Sequence, residues 1–203
     1  MFSDYQKNWK ALIIMFIILA IILYSVVLMI FGAEISIIGH SLLKVGFVSL
    51  TIGLLWFNFE KSWWICSLFR GWLVKAPDLR GRWVGKSTSN YDKKDRAMTL
   101  EVRQTFLTIQ CVAFGPDNKA EGYSARLLSD RLKKNFKIAY LYHAKRTVGG
   151  SVPGDEHEGV AILEYITGPP KKLVGRYVND RDPDPRKADI TLEWQSDTLM
   201  GQL

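Results

Sequence analysis

Residues 98–111 read MTLEVRQTFLTIQC. Met98, Leu100 and Val102 alternate with polar neighbours, and Leu107, Ile109 and Cys111 resume the pattern after a short interruption. Side chains alternate faces along a β-strand, so a period of two argues for strands buried on one side. The same period recurs in Tyr123, Ala125 and Leu127, in Ile138, Tyr140 and Tyr142, in Val160 and Ile162, and in Ile190, Leu192 and Trp194. Turn signals separate the runs: Gly115-Pro116-Asp117-Asn118, Gly149-Gly150, Pro153-Gly154-Asp155 and Gly168-Pro169-Pro170. No segment beyond Pro77 carries a helical stripe. About eight short strands in roughly 120 residues predict a small antiparallel β-barrel, which has no free edges and suits an internal pocket. The first strand is expected at Arg82–Thr88. Gly81 and Gly85 flank Trp83 there, allowing a tight approach and a bend, with Trp83 plugging one end.

The chain before Pro77 has a different character. Residues 1–75 hold six of the 27 Lys and Arg residues and three of the 20 Asp and Glu residues. Ala11–Phe31 is one apolar run without a charge, matching the roughly 20 residues that cross a bilayer core. It is too long for a signal peptide and reads as a retained helix. A polar break at Gly32–Ser36 carries Glu34, and a second run follows over about Ile37–Phe59. The chain therefore reads as a membrane-anchored all-β protein. Residues 1–75 form a two-helix transmembrane hairpin with an interfacial linker, and residues 77–203 form the barrel. Lys7 and Lys10 precede the first helix; Lys61, Arg70, Lys75, Arg80 and Arg82 follow the second. The positive-inside rule places both termini and the barrel in the cytoplasm, with Trp56, Trp63, Trp64 and Trp72 at that interface.

Two features of the second helix stand out. Gly39, Gly46 and Gly53 recur every seven residues, with Ser49 on the same stripe. Small residues let helix backbones approach closely in lipid, either within one hairpin or between subunits of a homo-oligomer. His40 and Lys44, four apart, share a face and either snorkel to the interface or line an assembly.

The chemistry-bearing residues argue against an enzyme. His157-Glu158 lacks the second histidine of a helical zinc motif. The run Asp180, Asp182, Asp184 lacks the glycine and distal Glu of a calcium loop. There is no phosphate-cradling loop of P-loop type, and no metal or cofactor is expected. Cys66 and Cys111 form neither a disulfide framework nor a metal spacing and read as two buried thiols. What remains is a supply of aromatic faces that stack bases, hydroxyls, and arginines that hold phosphates.

Several short motifs occur in a specific order. They are Leu79-x-Gly81-x-Trp83-x-Gly85 followed by Ser/Thr, Gln104-Thr105-Phe106, Tyr140-x-Tyr142, His157-Glu158-Gly159-x-Ala161-x-Leu163, and Leu173-x-Gly175-x-Tyr177 leading to Arg181. With the two helices, they make the chain resemble the two-transmembrane, β-strand-rich effectors of bacterial CBASS antiphage systems, the Cap-fifteen type. The resemblance implies a barrel that receives a cyclic dinucleotide made by a partner nucleotidyltransferase (a CD-NTase). It also implies assembly in the inner membrane, membrane disruption and death of the infected cell, with no bond broken by the effector. Polymeric nucleic acid is not an expected partner; membrane lipid is. In the family a hydroxyl residue stands two before an arginine near the last strands, and here those positions are Asn179 and Arg181. Tyr91, Tyr140 and Tyr142 are the expected base-stacking residues, with Thr88 and Ser124 as further polar contacts. The family is associated with uridine-containing ligands. Two alternatives remain open from the residues alone. A lipid-binding barrel predicts an almost wholly apolar inward face, and a protein-docking adaptor predicts no small-molecule pocket.

Overall fold

The computed structural model describes residues 9–31, 38–130, 135–146, 156–180 and 186–202. The break carrying Glu34, the Gly149-Gly150 and Pro153-Gly154-Asp155 turns, Lys7, Arg181, Asp182 and Asp184 lie outside the described residues. The chain divides into two compact units, Met1–Ala76 and Pro77–Leu203.

The first unit consists of α1 (Trp9–Phe31), α2 (Ile38–Lys61) and a single 3-10 turn at Trp63–Ile65. At 1.5 Å per residue α1 reaches about 34 Å, more than the thickness of a bilayer core. Its segment Lys10–Ile30, with mean hydropathy 3.2, is long and apolar enough to cross a membrane. Among the described residues it is the one helix that meets both conditions. α2 has the length, at 24 residues, but the side chains of residues 38–43 lie outside those described. The expected hairpin is therefore supported by apolarity for one helix only. Three polar side chains within these helices turn back on the backbone. Ser25, Thr51 and Asn58 each donate to the carbonyl four residues earlier, at 2.8, 2.8 and 2.7 Å. That satisfies them without water. The helices meet through an aromatic cluster in which Phe16 approaches Trp56 (centroids 5.5 Å) and Phe59 (6.4 Å). Gly46, Ser49 and Gly53 are exposed, and a Cβ placed on either glycine would meet nothing within 4 Å. Gly46, Ser49 and Gly53 are thus not what packs α2 against α1, and the surroundings of Gly39 lie outside the described residues. Of the two cysteines, Cys111 is buried but Cys66 is exposed, because it sits just past the 3-10 turn rather than inside a packed layer.

The second unit is a closed antiparallel barrel. Its strands are β1 (Gly81–Ser89), β2 (Asp95–Gln104), β3 (Ile109–Phe114), β4 (Asn118–Asp130), β5 (Asn135–Arg146), β6 (His157–Ile166), β7 (Lys172–Asn179) and β8 (Lys187–Ser196). Each pairs with the next in sequence, and β8 closes on β1. One end is sealed. Trp83 is fully buried and donates its indole N–H to the Leu79 carbonyl at 2.9 Å, with Tyr165 edge-on at 6.2 Å. Leu100, Ile138, Leu163, Leu173, Ile190 and Leu192 fill the space around it. Gln104 fixes the incoming chain, accepting from the Leu79 N–H (2.9 Å) and donating to the Pro77 carbonyl (3.1 Å). Tight closure needs close strand approach at two glycines. A Cβ on Gly85 would overlap the Thr191 carbonyl, and one on Gly175 the Ile162 carbonyl.

One strand takes the face opposite to that expected from its alternation. In β6 the buried residues are Ala161 and Leu163, while Val160 and Ile162 point outward. The register explains this. Ala161 lies between Tyr140 on β5 and Tyr177 on β7, and only a small residue there leaves room for both rings. Outside, Val160 is paired with Leu141 and Val178, an apolar row across the wall. On the wall of β1 and β2, Arg82 and Glu101 form a buried ion pair at 3.1 Å. Glu101 also accepts from the N–H groups of Met200 and Gly201, and Arg82 donates to the Gln202 carbonyl, so the C-terminal tail covers the pair.

Replacing Trp83 with alanine removes the plug of the sealed end and should lower barrel stability by about 3–5 kcal/mol. Denaturant unfolding measures it; a loss under about 1 kcal/mol would show that the sealed end does not depend on the indole.

Candidate functional site

The sealed end is built from large aliphatic side chains, and the opposite end is not. Towards the ends of β1, β3, β5 and β7 and the starts of β2, β4, β6 and β8, the inward positions change to aromatic and polar residues. Ser87, Arg96, Tyr140, Tyr142, His157 and Tyr177 line an open mouth cavity of about 570 Å³, counting the part open to solvent. Met98, Ala113 and Phe114 supply apolar lining beside them.

The tyrosines form a contiguous group. Tyr140 and Tyr142 have ring centroids 6.0 Å apart, and Tyr142 meets Tyr177 edge-on at 6.2 Å and His157 at 6.4 Å. Gly159, opposite Tyr142, gives its ring space that a Cβ would fill. Burial pushes the Tyr140 and Tyr142 hydroxyls well above the ordinary tyrosine value, and the neighbouring Tyr177 adds to this. Both remain neutral at physiological pH, able to donate to a phosphate oxygen or a base carbonyl. Near them the Cys111 thiol, pushed up to about 12 by burial, is unreactive.

Charge enters at the rim. Arg96 faces inward opposite Ser87, in phase with Met98, Leu100 and Val102. Its guanidinium is held by both carboxylate oxygens of Asp92, with Nη1 to Oδ1 at 3.1 Å. Hydrogen bonding from Arg96, and then from the Lys94 N–H, holds the Asp92 carboxyl well below the usual carboxylate range. The turn carrying Asp92 also carries Tyr91, whose ring lies 5.3 Å from the Arg186 guanidinium. Asn179 closes the neck of the β7–β8 connection. Its N–H donates to the Arg186 carbonyl and its side-chain oxygen accepts from the Arg186 N–H, both at 3.0 Å.

Of the residues singled out from sequence, Tyr140 and Tyr142 are brought together in the mouth. Tyr91 and Asn179 stand on its rim connections. Thr88 lies on the outer wall, donating to Asp95 at 2.6 Å beside Lys86. Ser124 is exposed, opposite the outward Leu141, just past an irregularity in β4 between Gly122 and Ser124. Arg181 lies outside the described residues. Ser87, Arg96, His157 and Tyr177 also line the mouth and were not among the site residues expected from sequence. Arg96 was detectable by carrying the alternation of β2 one step before Met98, and Ser87 by counting in twos from Trp83. His157 shares the inward phase of Gly159 and Ala161. Among the described residues no group of three or more His, Cys, Asp or Glu side chains is placed to hold a metal ion.

A family model described as "Cap15, cyclic dinucleotide receptor domain" matches residues 74–190, more than half of the 203 residues. The match takes in β1 to β7 and the start of β8, and with them every lining residue named above. No curated protein matches the chain.

Eight tyrosines are present, and burial should hold the two in the mouth, Tyr140 and Tyr142, un-ionised beyond the ordinary tyrosine range. An alkaline absorbance titration should therefore show a late phase above the ordinary tyrosine range. The Tyr140→Phe, Tyr142→Phe double variant should lose it. A late phase that survives both substitutions would contradict the burial of these hydroxyls.

Proposed function

The chain belongs to the Cap15 cyclic dinucleotide receptor family, and on that premise we propose that it is a CBASS antiphage effector whose barrel mouth binds a cyclic dinucleotide. The observation that carries the reading is the coincidence, inside the matched span, of a contiguous tyrosine group and a guanidinium around one open cavity. A cyclic dinucleotide presents two base faces and two phosphodiesters. Aromatic rings provide stacking surfaces, neutral hydroxyls provide donors, and a guanidinium matches the paired oxygens of a phosphate. A lipid-binding barrel would line its mouth almost entirely with apolar groups, and Ser87, Arg96 and three tyrosines are a poor lining for that ligand. Arg181 is proposed as a further phosphate partner and Asn179 as a hydrogen-bonding group at the rim. A uridine-containing ligand fits the family's association. No covalent step is required of the protein.

The effector half of the proposal rests on the first unit. α1 is the membrane anchor, and α2 is its partner in a hairpin with both termini cytoplasmic. Gly46, Ser49 and Gly53 present an uncovered small-residue face, and such faces permit close backbone packing of helices from neighbouring copies. Ligand binding favours the assembled state only by the difference in its affinity for the two states. A 100-fold preference contributes about 2.7 kcal/mol per subunit, and it is repeated at every subunit of an oligomer confined to two dimensions. Assembly then disrupts the inner membrane and kills the infected cell.

Thermal unfolding of the full chain in lipid nanodiscs, scanned against cyclic dinucleotides, tests the receptor half. A cognate ligand at 100 times its dissociation constant should add about 2.7 kcal/mol of stability, and Tyr142→Ala should weaken binding at least tenfold. No stabilisation by any member of the panel would overturn the reading. The Gly46→Leu, Gly53→Leu variant should keep binding and lose toxicity in cells; retained toxicity would remove the glycine face from the mechanism.

A further inference from the structure

Among the described residues lining the mouth, Arg96 is the one that carries a fixed charge. It already has an anion. Asp92 presents two carboxylate oxygens to the guanidinium, the arrangement in which the non-bridging oxygens of a phosphodiester are also bound. We propose that Asp92 is a resident phosphate mimic, and that an entering cyclic dinucleotide displaces it from Arg96 with one of its own phosphates. This inference rests on the receptor reading and gives that site a specificity device.

The exchange is feasible because neither group is deeply buried. The Arg96 and Asp92 side chains are 44% and 25% exposed, and a pair in that setting is screened by solvent and weakly held. It is also consequential, because Asp92 does not stand alone. Its Oδ1 accepts from the Lys94 N–H at 3.2 Å, and the Lys93 N–H donates to the Ser89 carbonyl at 3.0 Å. The Tyr91 N–H donates to the Ser89 hydroxyl at 3.2 Å. Releasing Asp92 therefore loosens the five-residue turn that carries Tyr91, and Tyr91 is the residue over which Arg186 of the β7–β8 connection lies. Arrival of a phosphate at Arg96 is thereby transmitted to two rim connections.

Selectivity follows from competition. A single phosphate must displace a carboxylate that is tethered beside the guanidinium at high effective concentration. A cyclic dinucleotide enters with two base faces held by stacking, and it needs the exchange only for one of its two phosphates. Asp92 thus raises the threshold against mononucleotides more than against the cognate ligand. Asp95, only three residues on, is the natural control. It belongs to the outer wall, where it is engaged by Lys86 at 2.5 Å and by Thr88 at 2.6 Å.

The test is a binding comparison on the full chain in nanodiscs, using a panel of cyclic dinucleotides and uridine monophosphate as probes. Asp92→Asn keeps an acceptor for the Lys94 N–H but removes the charge. It should tighten the cognate cyclic dinucleotide about tenfold and uridine monophosphate by more, whereas Asp95→Asn should change neither by more than about twofold. Asp92→Ser serves in the same role should the asparagine variant fold poorly. In an Arg96→Ala background the gain from Asp92→Asn should vanish, because the interaction between the two sites is what a double-mutant cycle isolates. If the unsubstituted chain binds a panel member and Asp92→Asn leaves that affinity unchanged or weaker, the mimic is overturned while the receptor reading stands. A gain that persists without Arg96 is a general charge effect and also overturns it. If neither the unsubstituted chain nor Asp92→Asn binds any member, the receptor reading falls and the mimic with it.

Discussion

Closure of β8 onto β1 is the constraint on which the rest of the barrel depends. An open sheet of this size would leave two edges and two solvated faces; a closed one has a single inside. Once the register Trp83↔Trp194, Gly85↔Leu192, Ser87↔Ile190 is set, alternation assigns every residue of β1 to the interior or the wall. The interior then grades along its length. Near Trp83 and Leu79 it is a dry aliphatic core. Towards the mouth it becomes serine on β1, arginine on β2, tyrosine on β5 and β7 and histidine on β6. The sealed end supplies stability, and the mouth is free to carry polar side chains that a closed core would penalise.

The mouth itself depends on small residues as much as on large ones. Ala161 sits between Tyr140 and Tyr177, and Gly159 makes way for the Tyr142 ring. The tyrosine group exists because β6 contributes little volume at these positions. The first unit answers a similar constraint by other means. In α1 the backbone groups between the two end turns are satisfied within the helix, and Ser25, Thr51 and Asn58 turn back onto carbonyls of their own helices. Helices and closed barrels share that self-sufficiency.

Much of this was legible in the amino-acid sequence, and the exceptions have specific causes. Period-two alternation located the strands, and the apolar run Ala11–Phe31 located the helix that is long and apolar enough to cross a membrane. Alternation failed at β6, where Val160, Ala161, Ile162 and Leu163 are all apolar and either phase reads equally well. Only the neighbours on β5 and β7 decide between them. It failed again at Tyr123, which is exposed because the irregularity between Gly122 and Ser124 interrupts the phase that Ala125 and Leu127 keep. Arg96 was overlooked for a chemical reason, since a charged residue at the end of a strand looks like the start of a solvated turn. Its inward phase follows from the alternation through Met98, Leu100 and Val102, whereas its pairing with Asp92 appears only in the structure. The uncovered state of Gly46 and Gly53 was likewise beyond reach of spacing alone, which is the same for a packed and an open stripe.

The central claim is that the mouth of the barrel, and no other surface, is where a cyclic dinucleotide binds. A crystal structure of the complex tests it most directly. The ligand should lie with a base against the Tyr142 and Tyr177 rings and a phosphate on the Arg96 guanidinium, with Asp92 turned away. A ligand bound to the outer wall, beside Thr88 and Asp95 or over Val160 and Val178, would contradict it.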